Sequence, residues 1–199
     1  MEHMTSRQLQ AIRTKKKLLD VSMEMIQKHG YDSVTINQIC EAAGVSIGAF
    51  YHHLKSKAGI IIEGYSICDE YFENEVYGKL SGDTFFEKII EYIGYQSQYA
   101  IMLGVDLIIQ IYRAQITEGT EFFFSDERGL PKGLASLVQR AQENGELTKA
   151  VSYQQISMEV LVVSRGIIYN WCQNKGKYDL IPKAEAMIRN YLYVYQMNK

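Results

Sequence analysis

The chain has 199 residues, 47% hydrophobic and 22% charged, so length and composition exclude a wholly disordered protein and fit one or two globular domains. Only two prolines occur, Pro131 and Pro182, which leaves most of the chain free to be helical. The formal net charge of −2 is uneven, because residues 1–57 carry +3 and the remainder −5. A basic part joined to an acidic part is typical of a small domain that meets a polyanion.

The three cysteines, Cys40, Cys68 and Cys172, are too few and too widely spaced to predict a disulfide framework or a zinc site. The N-terminus lacks the apolar run of a signal peptide. The longest apolar stretch, residues 99–112, is interrupted by Asp106 and is too short to cross a bilayer. We therefore expect a cytoplasmic protein with no membrane partner, no metal site and no cofactor.

The first helix is predicted from about Thr5 to Lys28, with Gly30 as its C-terminal cap. Apolar residues at offsets of four and seven give its second half one buried face. Its first half is basic and polar.

The next segment has the spacing of a helix-turn-helix motif. Thr35 and Gln38 form a capping box that starts a helix, and Gly44 ends it. Ser46 is placed to cap a following helix over residues 47–54. A helical hairpin inside a larger bundle is the alternative, but the glycine turn, the two caps and the basic flanks together favour helix-turn-helix.

Longer helices are predicted beyond residue 57. Their approximate bounds are 58–79, 83–103, 105–117, 131–144, 153–174 and 182–197. Pro131 suits the first turn of its helix. Residues 118–129 are predicted as a loop, and no strand pattern or internal repeat is found, so the predicted fold class is all-α.

The segment from Thr35 to Lys57 resembles the DNA-binding signature of the TetR family of bacterial transcriptional regulators. Its most specific parts are Ala-Gly-Val-Ser at 43–46, Gly-x-Phe-Tyr at 48–51 and Leu-Lys-Ser-Lys at 54–57. The remainder of the chain agrees with the family in length and helical character.

The resemblance implies two domains: residues 1–57, a three-helix helix-turn-helix DNA-binding domain, and residues 58–199, a larger helical ligand-binding and dimerisation domain. It implies a homodimer on a palindromic operator in double-stranded DNA, and a small-molecule effector that changes the spacing of the DNA-binding domains. The favoured function is a repressor released by a small aromatic or hydrophobic inducer. The alternative is an activator or global regulator on the same scaffold without an inducer.

The DNA-binding residues that the resemblance implies lie on the second and third helices and at the start of the fourth. They are Thr35, Ser46, Ile47, Gly48, Ala49, Tyr51, His52 and Lys57. The polar members suit phosphates, whereas Ile47 and Ala49 can pack only against a thymine methyl. His53 points about 100° away from His52, so we expect no shared metal site.

A cluster of cations on the first helix has two possible roles. Its members are Arg13, Lys15, Lys16 and Lys17. They suit either phosphates and the minor groove beside the operator or simple solvation, and the sequence leaves both open.

Candidate ligand-binding residues are mostly aromatic and lie beyond residue 57. They are Tyr65, Phe72, Tyr92, Tyr99, Tyr112 and Arg165. The aromatic rings favour a flat or aromatic ligand, cationic ones included, through stacking and cation–π contact. Arg165 instead suits an anionic ligand or a carboxylate at an interface. Plain core packing is the alternative for each ring.

Dimer contacts are predicted on the last two helices, at Gly166, Tyr169, Met187 and Tyr191. An enzyme is disfavoured, because no P-loop, HExxH motif or Ser-His-Asp order occurs and all four histidines lie within residues 1–57.

Overall fold

The structure, a computed structural model, describes residues 5–118, 125 and 128–196, and within these ranges all regular elements are helical apart from one isolated bridge between Leu147 and Gln196. The helices are α1 Ser6–His29, α2 Ile36–Ala43, α3 Ile47–Leu54, α4 Lys57–Tyr71, α5 Tyr77–Lys79, α6 Phe85–Leu103, α7 Val105–Glu118, α8 Gly129–Glu143, α9 Tyr153–Gln173 and α10 Leu180–Leu192. The predicted all-α class is confirmed. Most of the predicted loop at 118–129 lies outside the described residues.

The predicted starts of the first three helices are confirmed; the caps predicted at Thr35 and Ser46 are formed, and Thr5 forms a cap that was not predicted. The hydroxyls of Thr5, Thr35 and Ser46 each accept a hydrogen bond from the backbone N–H three residues later. Gly44 ends α2 in the left-handed conformation at φ 63°. Local sequence therefore determines where these helices begin and end.

Helix α4 is continued without interruption by a π-helical turn over Phe72–Val76 and then by α5. The predicted extent of this helix is confirmed, but nothing in the sequence pattern predicted its wider turn. The turn buries both Phe72 and Val76. Wider turns of this kind occur often near functional sites.

Two helices begin two residues earlier than predicted, and α6 begins at Phe85, two residues later than predicted. Helix α8 begins at Gly129 and α10 at Leu180, in each case two residues before the proline that was expected to start it. Pro131 and Pro182 thus occupy the third helical position. A proline is tolerated there because the first N–H groups of a helix have no partner within the helix.

The end of the last helix is also earlier than predicted. Helix α10 ends at Leu192, and the chain tightens into a 3₁₀ turn over Tyr193–Tyr195. The carbonyl of Tyr195 accepts a hydrogen bond of 2.7 Å from Thr148 N, in the segment after α8. This contact links the 3₁₀ turn to a distant segment of the chain.

Contacts divide the chain into two compact units. The first comprises Met1–Ser66 with Gln110–Gly119, and the second comprises Ile67–Ile109 with Thr120–Lys199. The core of the first includes Leu18, Ile39, Phe50 and Ile60, and that of the second includes Phe72, Ile89, Tyr92, Leu134, Ile156 and Ile188. The predicted domain boundary after residue 57 stays a prediction.

No described helix by itself has the length and hydropathy of a membrane span. One bent pair, Phe85–Leu103 with Val105–Thr117, meets that test together by length and composition only.

Candidate DNA-binding site and effector region

The third helix is fixed to the first unit by one side and leaves the other side free. Phe50 and Leu54, four residues apart, are 0% and 2% exposed and anchor α3. In the turn between α2 and α3, the backbone N–H of Val45 donates to the carbonyl of Cys40 at 3.0 Å, which closes the glycine turn. The turn and the two anchors therefore fix which side of α3 faces outward.

The outward side of α3 carries most of the predicted DNA-binding residues. Ile47 and Tyr51, four residues apart, are 48% and 50% exposed, and Gly48 and His52 are also exposed. Ala49 is half-buried. The structure thus brings these side chains onto one accessible helix of two turns, which fits the size of a DNA major groove.

Gly48 has no steric reason within the protein to be glycine. A β-carbon added to it would meet only the Ser46 hydroxyl oxygen, at 3.8 Å, an ordinary contact. Its backbone is that of a right-handed helix, in which glycine is less stable than alanine. The small residue therefore leaves space on the outer surface of α3, where another molecule can approach the backbone closely.

Thr35 and Ser46 act as caps with exposed hydroxyls. Thr35 Oγ1 accepts from Gln38 N at 3.3 Å and donates to Gln38 Oε1 at 2.9 Å. Ser46 Oγ accepts from Ala49 N at 3.1 Å and keeps its own proton for another acceptor. Their capping role is therefore formed, and their predicted DNA contacts stay predictions.

The two histidines of α3 differ in environment. Their rings are in contact, with centroids 5.0 Å apart, but His52 is exposed and His53 is half-buried. Burial, with smaller contributions from His52 and Lys15, lowers the pKa of His53. His52 is thus the one available to a ligand on the outer surface.

Lys57, at the start of α4, makes a contact that sequence reasoning missed. Its ammonium donates to the backbone carbonyl of Tyr31 and lies 4.3 Å from the centre of the Tyr31 ring. An ammonium has three donors, so two remain for a phosphate. The aromatic residue after Gly30 is a weak sequence signal for such a contact, because nothing local links positions 31 and 57.

The aromatic candidates for ligand binding divide between the two units. Tyr65 and Tyr112 belong to the first, whereas Phe72, Tyr92 and Tyr99 belong to the second. Phe72 and Tyr92 are buried and pack edge to face, with centroids 4.9 Å apart. The six predicted ligand-binding residues, with the half-buried Arg165, therefore do not all lie in one unit.

The second unit contains an aromatic stack that the sequence did not single out. Tyr71, next to Phe72, stacks on Tyr99 with ring centroids 5.5 Å apart and an angle of 28°. The Tyr92 hydroxyl donates to the carbonyl of Leu130 at 3.0 Å, and burial raises the pKa of that hydroxyl. The polar end of Tyr92 is therefore satisfied within the protein.

A buried ion pair lies beside these rings. Arg128, 8% exposed, donates from Nε to Asp69 Oδ2 at 2.8 Å and from Nη2 to Asp69 Oδ1 at 3.2 Å. Asp69 Oδ1 also accepts from Leu130 N at 3.3 Å. The packing is so close that a β-carbon on Gly129 would stand 2.4 Å from the Asp69 carbonyl oxygen. No sequence signal joins these residues, which are 59 positions apart.

An exposed apolar stripe runs along α9. Met158 and Val162 are 59% and 62% exposed, Gly166 has nothing within 4 Å of an added β-carbon, and Tyr169 is 53% exposed. These positions follow each other by three or four residues and so share one face. On α10, Met187 is 41% exposed, whereas Tyr191 is half-buried and donates to Glu159 Oε2 at 2.6 Å.

Comparisons with known proteins agree with this arrangement. Residues 18–63 match the family model of bacterial regulatory proteins, tetR family. Over 203 residues the chain is 24% identical to the probable acrEF/envCD operon repressor of Escherichia coli (strain K12), covering 94% of this chain and 88% of the relative.

Two solved structures illustrate the likeness in fold. One is Thermus thermophilus FadR, a TetR family transcriptional repressor in complex with lauroyl-CoA, with a TM-score of 0.77 at 16% identity over 93% of this chain and 96% of that one. The other is RolR in complex with resorcinol, with a TM-score of 0.69 at 14% identity over 92% and 89%.

A capped helix-turn-helix with an exposed second helix, followed by a larger helical unit, defines a DNA-binding regulator of transcription. Residues 18–63 match the DNA-binding domain model of the tetR family, and the relatives and solved structures above support a TetR family transcriptional regulator. Its relatives are DNA-binding proteins and not enzymes. The predicted family and the predicted absence of enzymatic activity are confirmed.

Proposed function

We propose that the protein is a repressor that binds a palindromic operator as a homodimer and is released by a small aromatic or hydrophobic inducer. The observation that carries the proposal is the exposed side of α3, where Ile47, Gly48, Tyr51 and His52 are accessible. The name of the Escherichia coli relative, an operon repressor, supports repression as the outcome of binding.

On DNA, we expect the residues of α3 to divide their roles. Ile47 and Ala49 pack against thymine methyl groups, and the missing side chain of Gly48 lets the helix backbone approach the base edges. Tyr51, at 50% exposure, offers its hydroxyl to a phosphate, and His52 donates to a phosphate or to guanine. With two apolar side chains among these residues, much of the affinity must come from phosphates.

Thr35, Ser46 and Lys57 are the proposed phosphate contacts. Each lies at the start of a helix, where free backbone N–H groups also attract an anion. Lys57 is held in place by Tyr31, so its ammonium is oriented before DNA arrives. A cation that is already oriented loses less conformational entropy when it binds.

The exposed stripe on α9 supports the proposed dimer. Met158, Val162 and Tyr169 present apolar area to solvent, and Gly166 lets a second helix approach closely. A two-fold partner would cover this stripe and Met187 of α10 in a four-helix interface. Val162→Glu places a charge on the stripe at a position that is 62% exposed, so the chain should stay folded but sediment as a monomer. A dimer that persists in this variant would contradict the interface.

The aromatic rings of the second unit support an aromatic or hydrophobic inducer. Phe72 packs on Tyr92 and Tyr71 stacks on Tyr99, which concentrates apolar and polarisable side chains around the end of α4. Structural neighbours bind lauroyl-CoA and resorcinol, which are respectively a fatty-acyl and an aromatic compound. We expect ligands of these two classes to be the first to test.

Helix α4 gives a physical route for induction. It carries Lys57 at its first residue, and Phe72 follows directly after its last. A ligand that moves the Phe72 end displaces Lys57 as well, because a helix of 15 residues, about 22 Å long, transmits a tilt along its length. The ligand must bind the released form more tightly than the DNA-bound form to have this effect.

The function is tested by selecting duplexes from random-sequence DNA with the full-length protein and measuring their affinity by fluorescence anisotropy. We expect a selected palindrome whose affinity falls steeply with salt. Lys57→Ala should weaken all sequences alike and flatten the salt dependence by about one unit, whereas the control Lys28→Ala, at the exposed end of α1, should not.

Two results would contradict the proposal. One is a protein that prefers no sequence, and the other is an affinity that does not change with salt. Compounds are then added to the selected duplex and protein, with lauroyl-CoA and resorcinol as the first probes. Release of the duplex supports an inducer, and its absence across a broad set of compounds favours a regulator without one.

A further inference from the structure

A buried hydrogen-bond acceptor on α6 lacks a donor. The amide oxygen of Gln96, Oε1, is buried and accepts no hydrogen bond from any residue that the structure describes. Gln96 as a whole is half-buried, so its side chain reaches from the surface into the interior of the second unit. A buried acceptor without a donor has lost its hydration and gained nothing in return, which destabilises the folded protein. Such an atom therefore suits a donor that another molecule supplies.

Gln96 lies on the same side of α6 as two of the aromatic rings described above. Tyr92 precedes it by four residues and Tyr99 follows it by three, so the three side chains share one side of the helix. Tyr99 stacks on Tyr71, with ring centroids 5.5 Å apart, and both of these tyrosines are half-buried. The amide oxygen thus lies one helical turn from an aromatic stack that solvent partly reaches.

The two ends of this side of α6 differ in packing. Tyr92 is 0% exposed, and a β-carbon added to Gly133 of α8 would clash with its hydroxyl. That hydroxyl also donates to the Leu130 carbonyl at 3.0 Å. The end at Tyr92 is therefore filled by the protein itself, and the half-buried end at Gln96 and Tyr99 is the one that another molecule can reach.

A second buried oxygen on α6 lies on a different side of the helix. Ser97 is 1% exposed, and its hydroxyl also has no hydrogen-bond partner within the described part of the chain. Ser97 follows Gly94 by three residues and shares its side, where a β-carbon on Gly94 would stand 2.5 Å from Glu185 Oε1 of α10. Ser97 therefore belongs to the contact with α10, about 100° around the helix from Gln96.

The ionised groups next to these rings are already paired. Arg128 donates two hydrogen bonds to Asp69 near Tyr92, and Lys79 pairs with Glu75 at 2.9 Å near Tyr71. A charged ligand would have to break one of these pairs or be buried without a counter-charge, and both are unfavourable. A neutral ligand is therefore the better match for this region.

We propose that the effector is a neutral aromatic compound of the phenol class, whose hydroxyl group donates a hydrogen bond to Gln96 Oε1. The inference rests on the proposed binding of an effector by the second unit. The ring of the compound contacts the Tyr71–Tyr99 stack, and its hydroxyl supplies the donor that the amide oxygen lacks. Gln96 thereby selects phenols over hydrocarbons of the same shape, because only a phenol satisfies the buried oxygen.

The experiment compares phenols with hydrocarbons that differ from them only by the hydroxyl groups. The pairs are naphthol with naphthalene, thymol with cymene, and resorcinol with benzene. Their affinities for the full-length protein without DNA are measured by isothermal titration calorimetry.

The test variant is Gln96→Met, which keeps an unbranched side chain of similar size and removes the acceptor oxygen. One control is Gln98→Met, the same substitution at an exposed position of the same helix. The other control is Ser97→Ala, which removes the buried hydroxyl on the side that faces α10.

For the wild type and both controls, we expect the phenol of a pair to bind about fivefold to thirtyfold more tightly than its hydrocarbon. Gln96→Met should lose this preference and bind the hydrocarbon at least as tightly as the wild type does. It should also be at least as stable as the wild type in chemical denaturation, because it removes a buried acceptor that has no donor. A less stable or unfolded Gln96→Met protein would show that the oxygen has a structural role, and would overturn the inference.

Three further results would overturn the inference while leaving the proposed DNA-binding function intact. They are equal affinity of the wild type for phenols and hydrocarbons, a Gln96→Met protein that keeps the preference, and a wild type that binds none of the phenols. Conversely, a protein that binds phenols through Gln96 but selects no duplex would overturn the proposed repressor and leave this inference standing.

Discussion

Replacing Gly48 by alanine should raise the stability of the DNA-binding unit and weaken its binding to DNA, so the two effects can be measured separately. The added β-carbon would have one neighbour within 4 Å, the Ser46 hydroxyl oxygen at 3.8 Å, so it strains nothing within the chain. Gly48 is the second residue of α3, where alanine is the better helix former by about 0.5–1 kcal/mol. The variant should therefore be more stable than the wild type by about this amount in denaturant titrations.

The same methyl group stands on the exposed side of α3, where we place the DNA bases. If the helix backbone lies against them, the methyl overpacks the interface, which costs about 1–3 kcal/mol, or roughly fivefold to 150-fold in Kd. Fluorescence anisotropy with the selected duplex measures this loss.

Gly78→Ala is the matched control, since Gly78 is exposed on a helical turn of the second unit and an added β-carbon there meets nothing within 4 Å. It should gain stability without a change in DNA affinity. A Gly48→Ala protein that binds DNA as tightly as the wild type would refute the close approach of α3.

Three further predictions concern the second unit. Tyr92→Phe removes the hydrogen bond to the Leu130 carbonyl and should lower the free energy of unfolding by about 1 kcal/mol. Tyr92→Ala also leaves a cavity and should lower it by about 3–5 kcal/mol. Equal losses in chemical denaturation would contradict this account. Asp69→Ala removes the carboxylate that pairs with the buried Arg128 and should cost about 3–5 kcal/mol, while Asp69→Ala with Arg128→Leu should recover much of the loss. Simple additivity in the double-mutant cycle would show that the pair is not coupled. Hydrogen bonds from Arg189 lower the pKa of Glu87 in the folded protein. This partly exposed ion pair should stabilise the fold by about 0.5 kcal/mol. The stabilisation is present above the unfolded pKa of Glu, about 4.3, and is lost as pH falls through the lower folded pKa. Arg189→Gln should therefore reduce stability at pH 7 and have little effect near about pH 3, and an equal effect at both values would contradict the linkage.

Sequence reasoning predicted the first unit best because its signals are local. A cap requires a side chain and a backbone N–H three residues apart, and Thr35 and Ser46 supply both without help from the rest of the chain. The burial of Phe50 and Leu54 follows from helical spacing, and the exposure of Ile47 and Tyr51 follows from the same spacing. The candidate DNA-binding side of α3 was therefore predictable residue by residue.

The candidate effector region was predictable only in its composition. The sequence indicates that many aromatic residues lie beyond residue 57, but not which rings meet. Whether Tyr71 stacks on Tyr99, and whether Phe72 packs on Tyr92, depends on how α6 lies against the end of α4. That placement results from many weak contacts between segments far apart in the chain, so no local sequence pattern predicts it.

By itself, the sequence determined the all-helical class, the helix-turn-helix and the family, because caps, helical spacing and the signature from Thr35 to Lys57 are properties of neighbouring residues. Only the tertiary structure decided that Asp69 and Arg128 pair, that Lys57 rests on Tyr31, and that α10 ends early. Each of these depends on a contact between residues 26 or more positions apart. These contacts form only when folding brings distant segments together, so no local segment of the sequence carries the free energy that stabilises them.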